Sequence, residues 1–143
     1  MTRRLDGTTA LVTGASSGIG EATALALAAE GAAVVVAARR RDRLEGLAQR
    51  IEADGGRALV LEADVTDEQQ AREAVERTVD GLGRLDILVN NAGVMLLGPA
   101  TSAPLEEWQR MVELNVLGLM YCTHAALPTC GRRRRATGGS PTW

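Results

Sequence analysis

The sequence predicts an α/β fold in which a parallel β-sheet carries helices on both faces. Along the 143 residues, four short apolar segments alternate with four helical patterns, an alternation typical of this fold class. The segment at 33–38 is apolar throughout, as expected of a strand buried on both faces. Hydrophobic residues make up 45% of the chain and aromatic residues only 2%, so we expect an aliphatic core.

Glycine or proline punctuates most of the predicted elements. The predicted strands span 8–13, 33–38, 58–61 and 85–90, and the predicted helices span 18–30, 41–53, 67–80 and 104 to about 127. Gly31 and Gly81 follow the first and third helices, as glycine does at C-caps. Pro104 and Pro128 flank the long last helix. Right-handed crossovers between parallel strands then give the strand order 3-2-1-4.

A glycine-rich turn, T-G-A-S-S-G-I-G at Thr13–Gly20, joins the first strand to the first helix. Gly14 allows a sharp turn, Gly18 leaves room for a pyrophosphate, and Gly20 allows the helix to pack closely on the strand. The first helical amides then face the phosphates at the positive end of the helix dipole. This context is typical of a dinucleotide site in a doubly wound, Rossmann-type sheet, although the commoner spacing is G-x-G-x-x-G. A purely structural turn is the alternative.

Composition and charge argue against several other classes. The net charge is −2, and residues 131–143 hold four arginines and no acidic residue, so the rest of the chain is more acidic. An acidic body does not favour nucleic acid as a partner. We expect no membrane span, because no run approaches ~18 apolar residues, and no secretory signal. Cys122 and Cys130 lack metal-ligand spacing, so we expect no metal site and a reducing, cytoplasmic location.

The chain changes character after Pro128. Residues 129–143 lack apolar periodicity and contain four consecutive arginines, Arg132–Arg135. We therefore expect a dinucleotide-binding domain over 1–128, followed by a disordered arginine-rich tail over 129–143. Contact of these arginines with nucleic acid or an anionic surface is one alternative, and a shifted reading frame or a shortened gene is another.

Four motifs occur together in the order and spacing of a known family: Thr13–Gly20, Asp64-Val65, N-N-A-G at Asn90–Gly93, and Asn115. Over residues 5–128 the chain resembles the short-chain dehydrogenases/reductases of the classical type. Residues 94–128 are more loosely similar to clavulanate-dehydrogenase-like ketoreductases. The resemblance implies hydride transfer between a nicotinamide cofactor and a small carbonyl or alcohol substrate. It also implies a homo-oligomer that packs through the long helix.

Two arginines follow the second strand, Arg39 and Arg40, where an acidic residue would hold the ribose hydroxyl of NAD(H). A guanidinium is a good bidentate partner for a 2′-phosphate. The resemblance implies the same, so we expect NADP(H) rather than NAD(H). A solvated basic turn is the alternative, and it suits Arg40 better than Arg39.

The resemblance assigns the remaining cofactor contacts to the ends of the third and fourth strands. Asp64 and Val65 are implied to contact the adenine; capping of the next helix is the alternative for Asp64, although Asp67 suits that role better. Asn91 lies at the nicotinamide ribose but could equally tie strands together. The expected cofactor-binding residues are Gly14, Ser16, Ser17, Gly18, Ile19, Gly20, Arg39, Arg40, Asp64, Val65, Asn91, Ala92 and Gly93.

The catalytic groups that the resemblance implies are almost all missing. The family uses a serine, a tyrosine and a lysine four residues after it, and the lysine lowers the pKa of the tyrosine. This chain has one tyrosine, Tyr121, with Ala125 four residues later, and it has no lysine. Asn115 is the one catalytic residue we expect, because the family uses it to bend the long helix and hold a water of the proton relay. His124 is assigned no role.

Two functions follow from these patterns. The chain is either an NADP(H)-dependent oxidoreductase whose sheet is truncated after the fourth strand and the long helix, or a non-catalytic nucleotide-binding or dimerisation module. In the first case the chain is expected to be inactive alone, and in neither case does the sequence identify a substrate.

Overall fold

The computed structural model describes residues 3–135, and the side chains of residues 3–129. Its four strands form one parallel sheet in the order β3-β2-β1-β4, which confirms the predicted fold class and strand order. The elements are β1 (Thr9–Thr13), α1 (Gly18–Ala29), β2 (Ala33–Ala38), α2 (Arg41–Ala53), β3 (Arg57–Glu62), α3 (Glu68–Leu82), β4 (Ile87–Val89), α4 (Leu105–Val112) and α5 (Leu119–Arg135).

The sheet separates two layers of helices, because successive side chains of a strand point to opposite faces. On one face, Val12, Val34 and Val36 pack with buried residues of α1 and α2. On the other face, Leu11 and Val35 pack with buried residues of α3 and α5. β1 lies between β2 and β4 and is buried along its whole length. Because all four strands are parallel, their carboxyl ends lie at one edge of the sheet, where open α/β folds bind ligands.

The predicted long helix is interrupted by a wider turn. α4 and α5 are joined without a break by a π-helical segment, Glu113–Gly118, which contains Asn115. Such π turns are rare and occur frequently at functional sites. The sequence predicted one long helix over this range, with a bend at Asn115 implied by the family resemblance, but its apolar spacing does not reveal the extra residue in this turn.

The end of α5 also differs from its prediction. The helix continues through Pro128 to Arg135, so the predicted end near Leu127 is wrong, and residues 129–135 are helical rather than disordered. A proline inside a helix removes one backbone hydrogen bond, and for this reason a proline in a sequence usually predicts the end of a helix. The rest of the expected tail, 136–143, lies outside the described residues. A domain boundary at 128 stays a prediction.

The outer surface of α4 and α5 is strongly apolar, and we call it the α4–α5 face. Its exposed members are Leu105, Trp108, Val112, Val116, Leu119 and Met120. β4 has β1 on one side and no other described strand on its second side. A helix that is apolar over so much of its surface favours burial against another element. Within residues 3–135, no helix has the length and apolar character needed to cross a membrane.

Candidate functional site

A cavity of about 440 Å³ opens at the carboxyl ends of the strands. It is lined by all but one of the expected cofactor-binding residues, and the exception, Gly20, lies directly behind the lining. Four further residues line the cavity that the sequence analysis did not single out: Ala37, Ala38, Ala63 and Leu114. Three of these are alanines at or just beyond the ends of β2 and β3, where small side chains leave room for a ligand. That pattern was a usable signal in the sequence.

The three glycines of the turn meet three different requirements. Gly14 has a φ of +63°, and a Cβ added there would lie 2.8 Å from the Cα of Ala92. Gly18 has a φ of +57°, and an added Cβ would meet nothing within 4 Å, so its backbone borders open space. Gly20 has no unusual φ, but an added Cβ would overlap the Gly14 carbonyl oxygen and the Asn91 amide nitrogen. A side chain at Gly14 or Gly20 would force the backbone to shift, and one at Gly18 would have to adopt the left-handed conformation that favours glycine.

The amino end of α1 is open to a ligand. Ser17 is the N-cap residue, with extended backbone, and its side chain makes no capping hydrogen bond. The first-turn amides of α1 therefore keep their hydrogens for another acceptor, at the positive end of the helix dipole. Ser16 and Ser17 line the same cavity, and Ile19, which also lines it, is 79% exposed. This arrangement suits a phosphate group.

Thr13 ties the end of β1 to the end of β4, a role that the sequence analysis missed. Its buried hydroxyl oxygen accepts hydrogen bonds from the N–H groups of Asn91 and Ala92, both at 3.1 Å, and the hydroxyl donates to the Val89 carbonyl at 3.3 Å. Asn91 adds a second link, because its Nδ2 donates to the Gly14 carbonyl at 3.1 Å. Asn91 therefore does tie neighbouring elements together. A threonine at the end of an otherwise apolar strand was the available signal for Thr13.

The arginines after β2 differ in their partners. Arg40 lies 3.7 Å from the Asp42 carboxylate, and Arg41 lies 2.9 Å from the Glu45 carboxylate. Arg39 lines the cavity and pairs with no acidic group among the described residues. Exposed ion pairs contribute little to stability, about 0–1 kcal/mol, but they do occupy the guanidinium. Arg39 is consequently better placed than Arg40 to meet an anion in the cavity.

The loop after β3 brings Asp64 and Val65 into the lining of the same cavity. Asp64 Oδ1 accepts hydrogen bonds from the Thr66 N–H at 3.0 Å and the Thr66 hydroxyl at 2.7 Å. Asp67, not Asp64, caps α3, since its Oδ1 accepts the Gln70 N–H at 3.0 Å. The predicted capping role of Asp67 is therefore confirmed. Asp64 Oδ2 accepts no hydrogen bond from the described residues.

Asn115 holds the loop after β4 against the long helix. Its Oδ1 accepts the Val94 N–H at 2.8 Å, and its Nδ2 donates to the Val94 carbonyl at 2.7 Å. A Cβ added at Gly93 would lie 3.1 Å from the Asn115 Oδ1, so the two residues are closely apposed. The side-chain amide of Asn115 is thus occupied in positioning the cavity wall. Its expected part in a proton relay stays a prediction.

Three further residues of α5, Tyr121, Cys122 and His124, do not line the cavity. Tyr121 is half-buried and packs on a small cluster that includes Val65 and Cys122. Burial raises the pKa of the Cys122 thiol to about 11, so this side chain is protonated at neutral pH and is not a nucleophile. His124 is exposed and borders a groove between α5 and α3. No metal-binding cluster occurs among the residues that the structure describes.

Comparison with known proteins agrees with this geometry. The family model for short chain dehydrogenase matches residues 8–138. An uncharacterized oxidoreductase of Listeria innocua is 40% identical over 119 residues, which are 83% of this chain and 48% of the relative.

Solved structures with the same fold include two informative neighbours. A short-chain type dehydrogenase/reductase from Mycobacterium marinum is 42% identical with a TM-score of 0.86, over 90% of this chain and 52% of that one. A blue fluorescent protein from a metagenomic library, solved in complex with NADPH, is 38% identical with a TM-score of 0.82, over 87% of this chain and 52% of that one. The chain spans about half the length of these relatives. With its four motifs and this family match, it belongs to the short-chain dehydrogenase/reductase family of oxidoreductases.

Proposed function

We propose that this chain is the NADP(H)-binding part of a reductase or dehydrogenase that moves hydride between the nicotinamide and a carbonyl or alcohol carbon. One observation carries the proposal. The uncapped amino end of α1, the open backbone of Gly18 and Arg39 all belong to the lining of one cavity. A dinucleotide with a 2′-phosphate needs such an anion site at each of its phosphate positions. The NADPH held by one structural neighbour supports the same choice of cofactor.

The phosphate groups of NADP(H) would lie against two polar parts of the cavity lining. The first-turn amides of α1, with the hydroxyls of Ser16 and Ser17, would hold the pyrophosphate. Arg39 would hold the 2′-phosphate, since a guanidinium and a phosphate form charge-assisted, bidentate hydrogen bonds. Arg40 contributes less, because the Asp42 carboxylate competes for it.

The two ring systems would lie against other residues of the lining. Asp64 and Val65 would contact the adenine, and the stretch Asn91–Gly93 would border the nicotinamide ribose. When bound, the cofactor supplies or accepts the hydride. Thr13 and Asn115 fix the wall beside the nicotinamide, through Asn91 and Val94 respectively. The described part of this chain thus binds and orients, and the proton needed for carbonyl reduction has no evident donor in it.

Carbonyl reduction by the 143-residue chain alone is expected to stay at the background rate. The family transfers the proton with a tyrosine whose pKa a nearby lysine lowers, whereas Tyr121 is a packing residue and the chain has no lysine. The assay follows NADPH absorbance with a panel of ketones and aldehydes. Turnover that survives purification and disappears in Asn115→Ala would contradict this expectation. Saturable NADPH binding without turnover fits the second candidate as well, a nucleotide-binding module.

We further propose that the chain self-associates through the α4–α5 face. Its apolar residues are exposed over a long surface, with Trp108 at 47% and Met120 at 55% exposure. Apolar surfaces of this extent mark interaction sites. The family resemblance implies that the chain forms a homo-oligomer. This supports a second copy of the chain as the partner that covers the α4–α5 face.

Light scattering at low micromolar concentration is expected to give a mass above the 15.1 kDa of one chain. Met120→Glu is expected to shift the mass toward the monomer, because a carboxylate would be buried in an apolar interface. Leu97→Glu is the matched control: Leu97 is 85% exposed but lies in the loop after β4, outside the α4–α5 face. A monodisperse wild-type monomer, or an equal effect of the two substitutions, would argue against this interface.

A further inference from the structure

We propose that Thr66 and Gln70 are positioning residues that make one wall of the cavity selective for a 6-aminopurine over a 6-oxopurine. The inference rests on the proposed NADP(H) site and extends it to two residues outside the cavity lining. Both act through Asp64, which does line the cavity.

Thr66 holds the Asp64 carboxylate in one orientation. The Thr66 N–H and hydroxyl both donate to the same oxygen, Oδ1, at 3.0 and 2.7 Å. The second oxygen, Oδ2, has no partner among the described residues and stays available as an acceptor. A carboxylate fixed in this way presents a single acceptor, whereas a freely rotating one would lose rotamer entropy on binding.

Gln70 holds the backbone of Asp64. It occupies the third position of α3, where a glutamine usually returns its side chain to the N-cap residue and completes a capping box. Here the first half of the box forms, between Asp67 Oδ1 and the Gln70 N–H. In the second half of a capping box, the Gln70 side chain would accept a hydrogen bond from the Asp67 N–H. Here Gln70 Oε1 instead accepts the Asp64 N–H at 2.9 Å. The amino end of α3 is thereby coupled to the cavity wall.

The part of the cavity wall formed by Asp64 and Val65 offers a hydrogen-bond acceptor beside a hydrogen-bond donor. Asp64 Oδ2 is the acceptor, and the Val65 N–H, which has no acceptor among the described residues, is the donor. Adenine carries the complementary pair, an amino donor at C6 and an acceptor at N1. Hypoxanthine reverses both, with a carbonyl oxygen at C6 and an N–H at N1. A 6-oxopurine would therefore place its C6 carbonyl oxygen against Asp64 Oδ2 and its N1–H against the Val65 N–H. All of these groups would lose their hydrogen-bond partners on binding.

The test compares NADPH with the analogue in which hypoxanthine replaces adenine, each titrated by nicotinamide fluorescence. The wild type is expected to bind NADPH at least about tenfold more tightly than the analogue. Thr66→Val should weaken the binding of NADPH about tenfold and that of the analogue less than about twofold. The preference for NADPH over the analogue should therefore fall. Gln70→Met should act in the same direction, by about threefold.

Two conservative variants separate positioning from general damage. Thr66→Ser keeps the hydroxyl and is expected to keep the wild-type preference. Gln69→Met changes the neighbouring glutamine, which bonds Glu73 and not the loop, and is expected to change neither affinity. Equal binding of the two nucleotides by the wild type, or an unchanged preference in Thr66→Val, would overturn this inference alone. Binding of neither nucleotide by the folded wild type would overturn the proposed function and the inference together.

Discussion

Replacement of Gly20 by alanine is expected to lower the free energy of unfolding by about 3 kcal/mol and to abolish NADPH binding. The added Cβ would overlap the Gly14 carbonyl oxygen and lie 2.9 Å from the Gly14 carbonyl carbon. These atoms belong to the backbone, so no side-chain rotation relieves the overlap. α1 must move away from β1, and the anion site at its amino end moves with it. Urea unfolding and nicotinamide fluorescence measure the two effects.

Gly46→Ala is the matched control for this change. Gly46 lies in α2, and an added Cβ there would meet nothing within 4 Å. Alanine in an exposed helix interior is expected to raise stability by about 0.5–1 kcal/mol, and NADPH binding should be unaffected. If Gly20→Ala matched the wild type in both stability and affinity, the close packing of α1 on β1 would be disproved.

Arg39→Asp is expected to reverse the cofactor preference. It removes charge-assisted hydrogen bonds to the 2′-phosphate and sets a carboxylate against it, so NADPH should bind roughly a hundredfold more weakly. A carboxylate at this strand end can instead accept hydrogen bonds from the ribose hydroxyls of NADH. NADH binding should therefore improve by a few-fold. Titration of both nucleotides by fluorescence gives the ratio.

Arg43→Asp makes the same charge change on an exposed residue of α2 that does not line the cavity. It reports the effect of net charge alone, which is expected to be less than about twofold at physiological ionic strength, because salt screens distant charges. If the two arginine variants shifted the NADPH-to-NADH ratio equally, Arg39 would have no specific part in cofactor choice.

The elements with strong local signals could be predicted closely. β2 and α2 have the bounds that the sequence predicts, since an unbroken apolar run and helical spacing of Leu44, Leu47 and Ile51 each mark one element. The glycine turn was also predictable from local sequence, because a positive φ or a close backbone contact restricts a single position to glycine. The end of α5 was not, since a proline is a local stop signal, although inside a helix it removes only one backbone hydrogen bond and α5 continues past it.

The parts of the site that could not be predicted depend on long-range register. Thr13 reaches residues 76–79 positions away in the chain, and that contact exists only because β1 pairs with β4. The sequence does favour Arg39 over Arg40 as the phosphate ligand, but the ion pair of Arg40 with Asp42, which supports that choice, is visible only in the structure. The diversion of Gln70 to Asp64 is also invisible in a motif that fits an ordinary capping box.

Titration of the wild-type chain with NADPH and NADH, followed by nicotinamide fluorescence, tests the proposed cofactor site most directly. We expect saturable binding of one NADPH per chain and at least about tenfold weaker binding of NADH, because only NADPH offers a 2′-phosphate to Arg39. A chain that unfolds cooperatively, yet shows no saturable binding of either nucleotide, would contradict the assignment of this cavity to NADP(H).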